Sequence, residues 1–270
     1  MKREELLAQI RAKNSFLCIG LDTDPARIPG HLLKEERPVL AFNSAIIEAT
    51  RDLCVAYKIN TAFYEARGLE GWRDLEDTLK LIPPNILTIA DAKRADIGNT
   101  SAQYARAFFE VLGVDALTLA PYMGQDSIAP FLAYPDKWSI LLALTSNAGS
   151  RDFQGLQVGD EALYLHVLET ASQWAGPEQL MFVVGATHPD KLAEIREKLP
   201  AYFFLVPGVG AQGGNLEAVA EAALTPDVGL LVNSSRGIIY ASSGEDFAER
   251  AEEQAFLLQR EMENILTTHV

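Results

Sequence analysis

Three alternating charges, Asp91, Lys93 and Asp96, directly follow an apolar run in the stretch 86–100, ILTIADAKRADIGNT. The run contains no charge, which is typical of a strand buried on both faces. Side chains two apart on a strand share a face, so Asp91 and Lys93 are expected to project together from its carboxyl end, with Asp96 in the loop beyond. Charges in such a place are costly to desolvate, and they persist either as a mutually satisfied ion network or as a reactive site.

Lys58 adds a fourth charge, inside the apolar strand predicted over 55–65. A buried lysine without a partner is costly, and Asp91 on the neighbouring strand is the expected carboxylate. The alternative is a structural ion pair that plugs one end of the sheet. Asp22 ends the first apolar run, 15–22, where it could line the same site or cap the turn that follows.

Two glycine-containing segments, PGVGAQGG at 207–214 and NSSRG at 233–237, follow the last two predicted strands. Glycines let backbone N–H groups approach an anion, Gln212 adds a donor, and Arg236 can bind phosphate oxygens with two hydrogen bonds. We therefore predict a phosphate site that includes Gln212, Gly213, Arg236 and Gly237. The alternative is that the glycines serve only tight turns and that Arg236 is a solvated surface charge.

Hydroxyl and amide groups also follow the fifth predicted strand, at Thr145, Ser146 and Asn147. They could bind the polar edges of a ligand or only satisfy backbone groups at the strand end. The glycine-punctuated segment AGSRDFQGLQVGD at 148–160 could be a mobile lid or simply a long loop.

Eight apolar runs that alternate with helical patterns must position these residues. The predicted strands are 15–22, 55–65, the run from 86, 116–124, 139–147, 180–187, 203–210 and 229–237, and the predicted helices include 38–53, 72–81, 100–112 and 244–266. This order predicts a single α/β domain over 1–270, a (β/α)₈ TIM barrel with an N-terminal helix and long strand-to-helix loops. A doubly wound open sheet is the rival, but CIGLDTDP after the first strand contains no GxGxxG fingerprint.

The bulk properties limit the possible partners. A net charge of −14 argues against nucleic-acid or anionic membrane partners, since both require a basic patch. The N-terminal residues lack the apolar segment of a signal peptide, so we expect a cytoplasmic protein. Cys18 and Cys54 lie in or beside apolar runs and are expected to be reduced and buried. The four scattered histidines have no ligand spacing, so no zinc site is expected.

The motifs, taken together, closely resemble orotidine 5′-phosphate decarboxylases of the longer bacterial type, type 2. The segments that carry the resemblance occur in the family's order along nearly the whole chain: GLDTDP, KINTAFYE, DAKRADIGNT, TSNAGSRDFQ, VVGAT, VPGVGAQGG and NSSRG. The resemblance implies decarboxylation of orotidine 5′-monophosphate to uridine 5′-monophosphate without a cofactor, which is the last step of de novo pyrimidine biosynthesis.

The resemblance also implies a role for each matching residue. Lys93 would protonate C6 of the pyrimidine, Asp91 would face the substrate carboxylate, and Asp22 and Lys58 would hold ribose hydroxyls. Ser146 would bind the pyrimidine, and Gln212 and Arg236 the phosphate. The working unit would be a homodimer in which Asp96 and Thr100 reach into the partner's site. An ammonium beside C6 would stabilise the charge that develops when carbon dioxide leaves.

Two other functions remain open from the sequence. Magnesium-dependent sugar-phosphate lyases of the same superfamily resemble the chain through the same strand-three motif, but they need a carboxylate ligand near the end of strand two. This chain has Lys58 there, and Glu65 comes late. A non-catalytic phosphosugar-binding module is the other possibility, and it would leave the arrangement of Asp91, Lys93 and Asp96 unexplained.

Overall fold

Eight parallel strands close into a barrel in a computed structural model that describes residues 1–187, 189–209 and 215–269. The strands pair in sequential order, and the first closes on the last. They are β1 Leu17–Gly20, β2 Ala56–Asn60, β3 Leu87–Arg94, β4 Ala116–Leu119, β5 Trp138–Leu144, β6 Leu180–Val184, β7 Phe203–Pro207 and β8 Leu230–Ser234. The predicted (β/α)₈ barrel is therefore confirmed.

Helices follow the strands and cover the outside of the barrel, as parallel strands require. They are α1 Arg3–Lys13, α2 Pro38–Thr50, α3 Ala62–Glu65, α4 Gly68–Leu81, α5 Gly98–Arg106, α6 Gln125–Leu132, α7 Leu163–Ser172, α8 Pro189–Lys198, α9 Leu216–Ala223, α10 Arg236–Ile239 and α11 Phe247–His269. A π-helical turn over Ala107–Val111 extends α5, and two short strands, Gln157–Val158 and Glu161–Ala162, form an antiparallel hairpin in the long loop after β5.

The N-terminal helix α1 lies across the amino-terminal ends of the strands. Leu6 and Ile10 on this helix are buried. Arg3 donates to the carbonyl of Pro177 ahead of β6 at 3.3 Å, and the Nε1 of Trp138 at the start of β5 donates to the carbonyl of Met1 at 2.9 Å. With this end of the barrel covered, the carboxyl ends of the strands form its open face.

Several predicted strands end earlier in the structure, because side chains and turns interrupt the ladder. Strand two was predicted to reach residue 65, but β2 ends at Asn60, whose side-chain oxygen accepts from the Ala62 N–H at 3.2 Å and leads into α3. Strand four ends before Pro121, which has no N–H to donate and begins a 3₁₀ turn. The predicted eighth strand included Arg236, which instead begins α10.

The barrel interior and its helix-facing surface form one continuous apolar core. The largest fully buried side chains include Trp138, Phe182, Phe203 and Phe204. Both cysteines are buried free thiols, as predicted. None of the helices in the described ranges combines the length and apolar character that a membrane-spanning helix needs.

Candidate active site

A cleft of about 590 Å³ opens at the carboxyl ends of the strands. This volume is ordinary for a small-molecule site. Its floor is apolar, formed by Leu142, Val183 and Leu205. The charged residues that line it are Asp22, Lys58, Asp91, Lys93 and Arg236, so three cations face two carboxylates on a chain whose net charge is −14. The cleft is therefore locally suited to an anionic ligand.

Asp91 links the two lysines. Its Oδ2 accepts from Lys58 Nζ at 3.1 Å, and its Oδ1 accepts from Lys93 Nζ at 2.6 Å. The side chains of Lys58 and Asp91 are 6% and 12% exposed, whereas that of Lys93 is 48% exposed. The buried pair therefore anchors a second ammonium that remains accessible from the open face. The predicted pairing of Lys58 with Asp91 is confirmed.

The pKa values of Lys58 and Asp91 reflect the competition between burial and neighbouring opposite charges. Burial opposes ionisation of Lys58, but the neighbouring carboxylates of Asp22 and Asp91 outweigh it and raise the lysine pKa. Burial would also raise the pKa of Asp91, but Lys58 and Lys93 outweigh it and lower that pKa to about 2. Lys58 and Asp91 are therefore best described as ions near neutral pH.

Asp22 is the second carboxylate beside Lys58, and its two oxygens have different surroundings. Its Oδ2 accepts from the Ser235 hydroxyl at 2.9 Å. Its Oδ1 is buried and, within the described ranges, has no hydrogen-bond donor; the Lys58 ammonium lies 3.6 Å away. A buried acceptor without a donor is costly, and the attraction of the nearby Lys58 ammonium offsets part of that cost.

Close approach of the backbone places Ser146 and Ser235 at the rim. A Cβ on Gly185 would lie 2.9 Å from the Ser146 Oγ, and a Cβ on Gly20 would lie 2.7 Å from the Cβ of Ser235. Glycine at both positions lets neighbouring strand ends come together. Ser146 lines the cleft, and the Thr145 beside it donates its N–H to Gln154 Oε1 at 2.8 Å.

The structure brings together most of the predicted site, although not all of it. Arg236 is exposed and lines the cleft, and Gly237 follows it in α10 without appearing among the lining residues. Gln212 and Gly213 lie outside the described residues.

Asp96 and Thr100 do not line the cleft of their own chain. The Oδ1 of Asp96 accepts from the Ile97 N–H at 2.8 Å, and Thr100 is exposed on α5.

Sequence reasoning did not single out several polar residues that contribute to the site. Thr118 on β4 donates its hydroxyl to Asp91 Oδ1 at 2.9 Å, and Asn60 and Asn233 line the cleft. The signal was a polar side chain within an apolar strand, as Thr118 is in ALTLA. Glu65, considered as a metal ligand, forms an ion pair with Arg94 instead and does not line the cleft.

Comparison with known proteins agrees with this geometry. Residues 15–251 match the sequence model of the orotidine 5′-phosphate decarboxylase / HUMPS family. The chain is 57% identical over 265 residues to an orotidine 5′-phosphate decarboxylase of Christiangramia forsetii, covering 97% of each chain. It is 54% identical over 269 residues to that of Flavobacterium johnsoniae, covering 98% of each.

A solved structure extends the similarity to the fold. The OMP decarboxylase of Leishmania donovani superposes with a TM-score of 0.81 at 39% identity, and the match covers 96% of this chain and 99% of that one. A family match over most of the chain and full-length relatives above 50% identity leave no ambiguity about kinship. The chain belongs to the orotidine 5′-phosphate decarboxylase / HUMPS family.

Proposed function

We propose that the protein decarboxylates orotidine 5′-monophosphate to uridine 5′-monophosphate and carbon dioxide, without a cofactor, as a single barrel domain over residues 1–270. The observation that carries this proposal is the Lys93 ammonium, held 2.6 Å from Asp91 on the open face of a cleft lined by an excess of cations. Full-length relatives named for this reaction support it. The two buried free thiols suit a cytoplasmic location, where thiols stay reduced.

In the proposed reaction, the bond between C6 and the carboxyl carbon breaks, carbon dioxide leaves, and the electron pair stays at C6. Lys93 stabilises this charge and then transfers a proton to C6, and the neutral amine regains a proton from solvent. Because the ammonium interacts more strongly with the developing carbanion than with the neutral ring, it lowers the barrier. Asp91 orients Lys93 and faces the substrate carboxylate.

The remaining lining residues hold the nucleotide. Asp22 and Lys58, which both line the cleft, bind ribose hydroxyls. Ser146 binds the pyrimidine edge. Arg236, with Gln212, Gly213 and Gly237, binds the phosphate. The apolar floor accommodates the ring face and excludes water from the reacting carbon.

The partner is a second copy of the chain, in a two-fold dimer that completes each site. The rim after β3 and β4 exposes large apolar side chains, with Ile97 58% and Tyr122 92% exposed. Such exposure is typical of an interaction surface. Asp96 and Thr100 stand on this rim and do not line their own cleft. An isologous contact would carry them to the partner's Lys93.

Turnover of orotidine 5′-monophosphate, followed as loss of orotate absorbance, tests the proposed function directly. We expect rapid loss of absorbance that excess chelator leaves unchanged. A rate abolished by chelator and restored by magnesium would instead favour the metal-dependent lyases. Tight binding of the nucleotide without turnover would favour the non-catalytic binding module and contradict the proposal.

A further inference from the structure

The strand that carries the reactive lysine is irregular at the site. Between β3 and β4, Ala90 pairs with Leu117 and Arg94 pairs with Leu119, so three residues of β3 stand opposite one residue of β4. That single residue is Thr118. Within this bulge Lys93 has φ = 49°, in the left-handed region, which costs a non-glycine residue about 1 kcal/mol or more. The geometry at Lys93 therefore needs support from its surroundings.

Thr118 supplies that support through one hydroxyl group. Its Oγ1 accepts from the backbone N–H of Lys93 at 3.0 Å and donates to the Asp91 Oδ1 at 2.9 Å. The bulge removes the ordinary ladder partner of the Lys93 N–H, and a backbone donor buried without an acceptor is costly. Thr118 is 1% exposed, so water does not replace it.

We propose that Thr118 is a positioning residue that fixes the Lys93 ammonium relative to Asp91. This inference rests on the proposed function. The same Asp91 Oδ1 binds the Lys93 ammonium and the Thr118 hydroxyl, and the same hydroxyl binds the Lys93 backbone. The three hydrogen bonds therefore form a closed loop. It runs from the Lys93 backbone N–H to Thr118, from Thr118 to Asp91, and from Asp91 to the Lys93 side chain. Without the hydroxyl, both the backbone at Lys93 and the carboxylate of Asp91 lose one constraint.

A misplaced ammonium harms the chemical step more than binding. Displacement of a catalytic group by about 1 Å costs about 100-fold in rate, because the group must lie at the position where charge develops. Ribose, phosphate and pyrimidine are bound by other residues, so nucleotide affinity depends little on Thr118. The signature of positioning is therefore a fall in kcat with little change in KM.

Thr118→Val and Thr118→Ser test the inference. Valine keeps the shape and removes the hydroxyl, and we expect kcat for orotidine 5′-monophosphate to fall about 10- to 100-fold, with KM and the affinity for uridine 5′-monophosphate changed less than about 3-fold. Serine keeps the hydroxyl, and we expect kcat within about 3-fold of the wild type. The matched control is Thr88→Val, which removes a strand hydroxyl that donates to Asp115 at 2.9 Å, away from the cleft.

Three outcomes would overturn the inference. They are an unchanged kcat in Thr118→Val, equal losses in Thr118→Val and Thr118→Ser, or an equal loss in Thr88→Val. If Thr118→Val does not fold, comparison of Thr118→Ser with Thr118→Ala measures the hydroxyl in its place, and equal kcat values for those two would also overturn it. A wild-type protein that does not consume the substrate contradicts the proposed function, whereas an active wild type with a fully active Thr118→Val contradicts only this inference.

Discussion

At the residue scale, the two carboxylate oxygens of Asp91 bind different partners. Oδ2 neutralises the buried Lys58, and Oδ1 binds the accessible Lys93 together with the Thr118 hydroxyl. A buried ion pair is tolerated when its remaining lone pairs are also satisfied, and Asp91 meets this condition. One carboxylate can therefore hold a second ammonium at the surface without leaving the first unpaired.

Lys93→Ala should abolish turnover and spare binding. The ammonium acts on charge that develops during the reaction, so we expect kcat to fall by about 1,000-fold or more. The affinity for uridine 5′-monophosphate should change by less than about 10-fold, measured by calorimetry. The control is Lys80→Ala, which removes an exposed lysine of α4 that pairs with Glu76. Near-normal turnover in Lys93→Ala would remove this lysine from the mechanism.

The low pKa of Asp91 predicts that the free energy of unfolding decreases as the pH falls. Its pKa in the folded protein is about 2, below the usual value of 3.8, so the unfolded chain binds the proton more readily. The stabilisation is complete above about pH 4 and is lost as the pH falls towards 2. From the size of the pKa difference we expect this carboxyl to contribute about 2 kcal/mol to the free energy of unfolding.

Urea unfolding between pH 5 and pH 2.5 measures this contribution. In Asp91→Asn the free energy of unfolding should be lower at pH 5 and should fall less steeply with acid than in the wild type. Asp126→Asn, at an exposed position on α6, is the control and should keep the wild-type slope. If the free energy of unfolding of Asp91→Asn falls with decreasing pH as steeply as that of the wild type, other carboxyls are responsible for the acid dependence.

At the element scale, the ends of β1 and β8 must approach closely to form the side of the cleft that Asp22 and Arg236 line. Gly20→Ala tests this contact, because the added Cβ would lie 2.7 Å from Ser235 Cβ and would displace the serine from Asp22. We expect a loss of about 1–3 kcal/mol in the free energy of unfolding. In the control, Gly30→Ala, the Cβ meets no atom within 4 Å, and unchanged stability is expected. Equal stability of both variants would show that the strand ends relax freely.

Arg236→Ala tests the role of the residue that begins α10. If this residue binds the phosphate, its loss should raise KM at least about 10-fold, because a charge-assisted pair of hydrogen bonds is removed. Free phosphite should then partly restore the rate on a substrate that lacks its phosphate, since remote binding energy is used at the reacting ring. Arg250→Ala on α11 is the control, as Arg250 forms ion pairs with the nearby Asp246 and Glu253. An unchanged KM in Arg236→Ala would place the phosphate elsewhere.

Periodicity predicted the order and type of the elements, but local turn chemistry decided where they end. The apolar runs identified all eight barrel strands, since parallel strands covered by helices are largely apolar. The helix over Ala62–Glu65 was missed because its apolar residues continue the pattern of β2. The left-handed conformation of Lys93 and its contact with Thr118 depend on the register between two strands, which no pattern within one strand reveals.

At the scale of the whole molecule, the proposed dimer with shared sites can be tested by complementation. Lys93→Ala and Asp96→Ala subunits, each expected to be inactive alone, are mixed and allowed to exchange. If Asp96 serves the partner's site, each mixed dimer holds one doubly damaged site and one intact site, so statistical mixing should restore about a quarter of all sites. Labelled subunits verify the exchange. Verified exchange without recovered activity would show that Asp96 acts within its own chain or not at all.

During synthesis the barrel can close between β1 and β8 only after residue 234 has emerged. The Ser235 hydroxyl contacts the Gly20 carbonyl across 215 residues of sequence, so this seam is among the most distant contacts in the chain. While a nascent chain still lacks β8, β1 has an unpaired edge, a template for association with other chains. Asp22 and Arg236 stand on opposite sides of the seam and line one cleft only when it closes. A nucleotide that binds both would therefore favour the closed barrel over every open intermediate and act as a folding ligand.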